Sequence, residues 1–216
     1  MKGITFGNLH SWRDLDLILQ PGKEIASPTV KVKKIDIEGA DSALDYTDYF
    51  GEPKYEDMRH KFDFQTIVPQ SQFLAQYSRV KNALHGKKMR VILDDDPLFY
   101  YMGRLHVSNL TADKAVGKLS IEVECEPYKY KLEKTVVRQA VNGSVDVNLT
   151  NLRKRAVPEV SVETDGAIQI VFQQWNIWDL GSGSYTLPEL ELSEGDNLVT
   201  LTGVGTVVFS YQEAGL

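Results

Sequence analysis

Apolar and polar residues alternate most cleanly over Lys118–Glu126, with Leu119, Ile121, Val123 and Cys125 on one side and Lys118, Ser120, Glu122, Glu124 and Glu126 on the other. A period of two with one wet face predicts a strand of an antiparallel sheet and places Cys125 in its core. The same period sets Phe62, Phe64 and Thr66 against Asp63, Gln65 and Ile67, and Pro69 ends that run. Val30, Val32, Ile35 and Ile37 alternate with charged residues but slip phase at Lys33–Lys34, which predicts a strand carrying a bulge. The period then changes. Phe73, Tyr77, Val80 and Leu84 recur at helical spacing, predicting one helix over about 71–85, capped by Ser71 and laid on a sheet by one face.

The stretch NALHGKKMRVILDDDPLFYYMGR, from Asn82 to Arg104, joins several elements in a short span. Gly86 suits the left-handed stop of the helix, and Lys87 and Lys88 favour its carbonyl end. Met89, Val91 and Leu93 predict a strand, Asp94, Asp95, Asp96 and Pro97 break it, and Leu98–Met102 predicts a second. Gly103 and Arg104 close that strand before Leu105 and Val107 resume alternation.

After about residue 132 the texture becomes short strands punctuated by glycine. Asn142-Gly143 and Asp165-Gly166 each favour the tight turn of a hairpin. Val145, Val147 and Leu149 fall in one strand, and Val160 and Val162 are expected to pair with Ile168 and Ile170 across the second turn. Leu198–Leu201 and Thr206–Tyr211 read as two more strands, and no helical pattern follows residue 84. The expectation is a mainly β chain: residues 1–132 with one helix, a boundary near Leu132–Lys134, and an antiparallel β-sandwich over 133–216.

Charge sharpens this division. The net charge is −6, yet the last Lys or Arg is Arg155, and the residues beyond it hold nine acids, from Glu159 to Glu213. An acidic C-terminal third argues against a grip on nucleic acid, which needs cations on phosphates. No apolar run approaches the roughly 20 residues of a membrane helix. Met1–Asn8 lacks the pattern of a secretory signal, so folding in the cytoplasm is expected. Cys125 is the single cysteine, which excludes an internal disulfide.

Candidate chemistry is sparse. Three consecutive aspartates at 94–96 point in different directions and lack the alternating ligand spacing of a calcium loop. His10, His60, His85 and His106 show no i, i+4 pair, and Gly181-Ser182-Gly183-Ser184 is not a nucleophile elbow. Glu189 and Glu191 share a solvent face opposite Leu190 and Leu192. No catalytic residue, metal site or cofactor is expected. The aromatic residues are better candidates. Tyr46, Tyr49, Phe50 and Tyr55 stand in the polar stretch Leu44–His60 as anchors for an interface or as a loop folded on its own domain. Trp175 and Trp178 suit core packing, sugar stacking or a protein partner.

Several of these segments, taken in order, resemble the distal tail proteins (Dit), hub proteins at the tail tip of long, flexible-tailed bacteriophages. Ile4-Thr5-Phe6-Gly7 with Ser11 looks like the family's opening strand and loop. Ile37-Glu38-Gly39-Ala40-Asp41, followed by Leu44-Asp45-Tyr46-Thr47 and Phe50-Gly51, is similar to a glycine-rich stretch of the family, although Ala40 and Ser42 stand where a further glycine is common. Asn82–Arg104 matches next. Glu124-Cys125-Glu126-Pro127-Tyr128-Lys129-Tyr130 then resembles the end of the family's first domain, and Gly203–Leu216 its final strand.

The resemblance implies an N-terminal β-sandwich with one α-helix and a hairpin extension, then a galectin-like β-sandwich. It implies a homo-hexamer ring continuing the tail tube, bound to tail tube protein, tail-tip and receptor-binding or baseplate proteins. DNA would pass through without specific contacts. It also implies a place at the virion tail tip after synthesis in the cytoplasm of a host bacterium, with a prophage as one origin, and a length without room for inserted carbohydrate-binding modules. A stand-alone carbohydrate-binding protein using Trp175 and Trp178 is the alternative, and an enzyme is a third reading.

Overall fold

The computed structural model describes residues 2–49, 51–113 and 116–216. The chain divides into two compact units, Met1–Lys129 with Leu216, and Tyr130–Gly215. In the first, β1 (Ile4–Phe6), β2 (Leu9–His10), β3 (Leu17–Leu19), β4 (Lys34–Ile35), β5 (Leu44–Asp45) and β6 (Met58–Thr66) lead to α1 (Phe73–Leu84). Then come β7 (Lys88–Leu93), β8 (Phe99–Val107), β9 (Thr111–Asp113) and β10 (Val116–Lys131), whose last two residues belong to the second unit.

One sheet runs in the order β2-β1-β7-β8-β10-β6-β3, with β9 also on β10. Its alternation is strict. Met58, His60, Phe62, Phe64 and Thr66 are buried along β6, and Leu119, Ile121, Val123 and Cys125 along β10, to which β6 pairs antiparallel. Val80 and Leu84 of α1 join these residues in one core, where the Phe6 and Phe64 rings meet edge-on at 6.2 Å. Gln76, buried on the same helix, donates to the carbonyls of Leu15 and Asp16.

The helix begins differently from expectation. Pro69 is followed by a 3-10 turn over Gln70–Gln72, so Ser71 lies inside that turn and no side chain caps α1. Gly86 does take the left-handed conformation, φ +77°, just beyond the helix end. Gly103 does not close a strand. It sits within the unbroken β8, where a Cβ would lie 2.6 Å from Val123 Cγ1 and 2.8 Å from the Glu124 carbonyl oxygen. Its role is to let β8 approach β10 closely.

The expected strand over Val30–Ile37 is also corrected. Only Lys34–Ile35 is strand, paired to Leu44–Asp45, and Val32 N–H turns back on the Val30 carbonyl. The segment forms a hairpin extension. Lys31 N–H bonds to Lys54 O, Glu56 N–H to Thr29 O and Tyr46 N–H to Lys33 O, so the arm is held by its own backbone. Val32, Ile35 and Ile37, which carry the expected strand's alternation, are all at least half exposed, as is Leu44.

In the second unit, β11 (Thr135–Asn151), β12 (Glu159–Glu163), β13 (Ile168–Phe172), β14 (Asn176–Leu180), β15 (Gly183–Thr186), β16 (Gly195–Tyr211) and β17 (Ala214–Gly215) follow, with no helix among the described residues. β11 and β16 pair along their whole length, from Thr135 with Tyr211 to Asn151 with Gly195. Asn142-Gly143 is therefore no hairpin turn, and the two strands expected over 198–211 are one. Gly143 (φ +93°) faces Gly203 (φ +145°) in the middle of this ribbon, and Gly205 (φ +152°) lies just beyond. These φ values are open to glycine and closed to most other residues.

β16 takes different neighbours on either side of these glycines. β13 pairs with Val199–Thr202 and β12 with Thr206–Ser210. β12 and β13 are not hydrogen-bonded to each other, contrary to the expected hairpin; β15 and β14 instead border them. Ile170, Phe172, Val199 and Leu201 from one half share a core with Val160, Val162, Val207 and Phe209 from the other. One glycine-kinked sheet thus folds on itself as a β-sandwich.

Candidate functional site

The three aspartates after β7 are engaged separately. Asp94 accepts from Gly3 N–H at 2.7 Å and contacts His10 Nε2 at 3.1 Å; Asp95 pairs with Lys2 and Lys23, and Asp96 with Lys129 at 2.9 Å. Burial works to raise the Asp94 pKa, but bonds from His10 and Gly3 win and hold it below the usual carboxylate value. Hydrogen bonds from Lys2 and then Lys23 hold Asp95 down at about 2. The turn clamps the chain's start to β7. No three His, Cys, Asp or Glu converge on a metal position among the described residues.

Asp94, His10 and Ser11 together superficially suggest a nucleophile with its base. His10 Nδ1, however, accepts from the N–H groups of Trp12 and Arg13, while the buried Ser11 Oγ accepts from Ile4 N–H. With Nδ1 occupied as an acceptor and Nε2 turned to Asp94, neither ring nitrogen is placed to take a proton from Ser11. Ser182 is likewise structural: its Oγ accepts from Thr164 N–H and donates to Thr164 O. Glu191 pairs with Arg155 at 2.8 Å, and the intervening Leu190 is fully buried.

His60 and His85 are structural as well. His60 is buried, with Nδ1 accepting from Ala26 N–H and its ring edge-on to Tyr101 at 4.4 Å. Burial lowers its pKa to about 4. His85 Nδ1 accepts from Val107 N–H. Burial pushes the Cys125 thiol up to about 12, which leaves it a packing residue.

What the surface offers is apolar and aromatic. On the arm, Ile35 and Leu44 sit directly opposite one another in the ribbon. Tyr49 is 79% exposed, Tyr46 is half-buried, and Tyr55 packs edge-on to Tyr128 at 5.9 Å. Phe50 lies outside the described residues. Sequence reasoning singled out the tyrosines but missed Val32, Ile35, Ile37 and Leu44, because alternation alone does not say whether a core exists to receive them.

Trp178 and Trp175 part company. Trp178 leans on the second core, while Trp175, in the turn between β13 and β14, is 88% exposed. That turn is made by Gln173 (φ +53°) and Gln174 (φ +62°), both left-handed.

No protein-family model matches the sequence, and no curated protein matches it. Among solved structures, the crystal structure of phage SPP1 Dit matches with a TM-score of 0.71 at 12% identity, covering 98% of this chain and 99% of that one. SPP1 Dit is described as a paradigm of the hub adsorption apparatus in phages infecting Gram-positive bacteria. The chain has the distal tail protein fold. The Dit fold accounts for a mainly β chain with a single helix. Among the described residues, no helix is long and apolar enough to cross a membrane.

Proposed function

We propose that this chain is a hub subunit of a phage tail tip: six copies close into a ring that continues the tail tube, and the ring carries tail-tip and receptor-binding proteins. The observation that carries this reading is the match along the full length of a solved distal tail protein. The subunit works at the virion tail tip after synthesis in the host cytoplasm, DNA passes through the ring without specific contacts, and the role is structural.

The arm gives the reading a physical basis. A two-stranded ribbon is marginal by itself in water. This one nevertheless exposes Val32, Ile35, Ile37 and Leu44. A ring bonds head to tail, so each subunit needs two different adhesive surfaces, and an apolar arm reaching to a neighbour supplies one. Tyr46, Tyr49 and Tyr55 lie on or beside it as aromatic anchors.

Size-exclusion chromatography with light scattering, followed by negative-stain imaging, tests this. Purified chain, alone or with tail tube protein, is expected to form six-membered rings. Ile35→Lys with Leu44→Lys is expected to give monomers with an unchanged circular dichroism spectrum, since both side chains are outside the core. A chain that stays monomeric in both settings would refute the ring.

A further inference from the structure

We infer that the free edge of β11 binds an extended segment of another protein, which joins the second unit as one more strand. This mode of contact goes beyond the hub reading and does not depend on it. β11 pairs only with β16, and among the described residues none of its backbone groups bonds to any other part of the main chain. One side of the strand from Thr135 to Asn151 is therefore unpaired. Proteins blunt such an edge by keeping it short or by placing proline, lysine or a bulge on it. The strands at the other sheet ends, β2, β3, β14 and β15, are two, three, five and four residues long. β11 has 17, contains no proline or lysine, and keeps register with β16 without a skipped residue.

The core is open along the same edge. Val137 and Val145 point inward on β11 but are only partly buried, while Phe209 and Leu201, opposite them on β16, are fully buried. A Cβ built on Gly143, at the bend, meets nothing within 4 Å, whereas one on Gly203 across the ribbon meets the Ala167 carbonyl oxygen at 2.8 Å. An added strand covers the two valines and pairs the outward N–H and C=O groups together, so main-chain bonds supply affinity and side chains select the partner. Side chains already occupy the carbonyls of Ala140, Leu149 and Thr150, the first through its neighbour Gln139, which a partner N–H can displace. The stretch left for a partner is Val136–Asn148, long enough for about a dozen ladder hydrogen bonds.

This edge specifies the partner's chemistry. Positions facing the core take apolar residues, to cover Val137 and Val145. At the bend the segment needs glycine, as β16 does: Gly203 and Gly205, both with positive φ, stand opposite Gly143 and Val141. On the outward face Arg138 and Asp146 are exposed, one to each side of the bend. Asp146 accepts from Thr200 Oγ1 at 2.7 Å and keeps acceptor capacity, and Arg138 lies 3.6 Å from Glu163 with both side chains largely exposed. Opposite charges across a strand pair stabilise it and like charges oppose it. The segment therefore carries a cation opposite Asp146 and an anion opposite Arg138, with glycine between them. A second copy of β11 matches less well. The antiparallel register that sets Arg138 against Asp146 also puts Val141 opposite Gly143, where β16 has glycine.

The probe is the peptide Thr-Val-Lys-Val-Thr-Gly-Thr-Gly-Thr-Val-Glu-Val-Thr, which meets these demands when it lies antiparallel to β11 from Asn148 to Val136. Calorimetric titration into the intact chain, with residue-resolved hydrogen exchange, is expected to show binding and slowed exchange of alternate β11 amides. N-methylation of one alternate set of peptide amides should abolish binding, and methylation of the other set should not. Replacing the peptide's lysine by glutamate should weaken binding several-fold, and Asp146→Lys should reverse that preference with the circular dichroism spectrum unchanged. Val145→Lys, an inward charge at the edge, should weaken the parent peptide by about tenfold. No binding at millimolar peptide, protection outside β11, equal tolerance of both methylated sets, or a preference unmoved by Asp146→Lys would each overturn the proposal. So would full protection of β11 in the free chain, which would mean that a second copy covers the edge. Light scattering on the same samples reports ring formation separately, so failure of this inference and failure of the hub reading are distinguishable.

Discussion

His60 shows how a single buried side chain ties this fold to pH. Its Nε2 is buried without a hydrogen-bond partner among the described residues, and its ring lies in the first core against Tyr101. The folded state therefore resists protonation to about 4, against 6.5 for an ordinary histidine. Between those values the unfolded chain binds the proton and the folded chain does not, so stability falls as pH drops through that window and is complete above it. The loss attributable to His60 from pH 7.5 to pH 5 is roughly 2 kcal/mol. Urea unfolding at the two pH values checks this. Wild type is expected to lose that much more than His60→Asn, which keeps an acceptor for Ala26 N–H but carries no titrating ring. Equal losses in both proteins would show that other groups govern the acid limb.

At the scale of elements, local turn signals yielded to long-range pairing. Asn-Gly at 142–143 favours a hairpin turn locally, but long-range pairing with β16 overrides it and uses the glycine to bend a ribbon. Gly205 carries the matching demand on the other strand: a Cβ there would lie 2.3 Å from the Glu163 carbonyl oxygen, which is backbone and cannot step aside. Gly205→Ala is expected to cost about 2–4 kcal/mol, from the clash and the positive φ together, and to reduce the denaturant midpoint of the second unit. A substitution without effect would mean that β16 bends elsewhere. Strands with strict alternation, such as β6 and β10, were legible because period and burial coincide. The arm was not, since Val32, Ile35 and Ile37 carry a strand's pattern with no core to cover them. The interface tyrosines were visible as residue types, but Trp175 and Trp178 could be separated only once the turn between β13 and β14 placed one outward and the other against the core.

For the molecule as a whole, each unit draws its core from its own residues. The first gathers side chains from Ile4 to Cys125, and the second from Val137 to Tyr211. The acidic imbalance beyond Arg155 lies within the second of these, whereas the strand order inside each unit did not follow from local pattern. We propose that the two units unfold as separate domains. The tryptophans allow this to be measured, because Trp12 lies in the first unit and Trp175 and Trp178 in the second. Phe209 is fully buried at the centre of the second core, and truncation to alanine removes a large ring from a packed interior at a cost of about 3–5 kcal/mol. Followed by fluorescence in variants retaining only Trp12 or only Trp178, Phe209→Ala should lower the transition seen by Trp178 and leave that seen by Trp12 in place. If both transitions fall together, the two cores form one cooperative block.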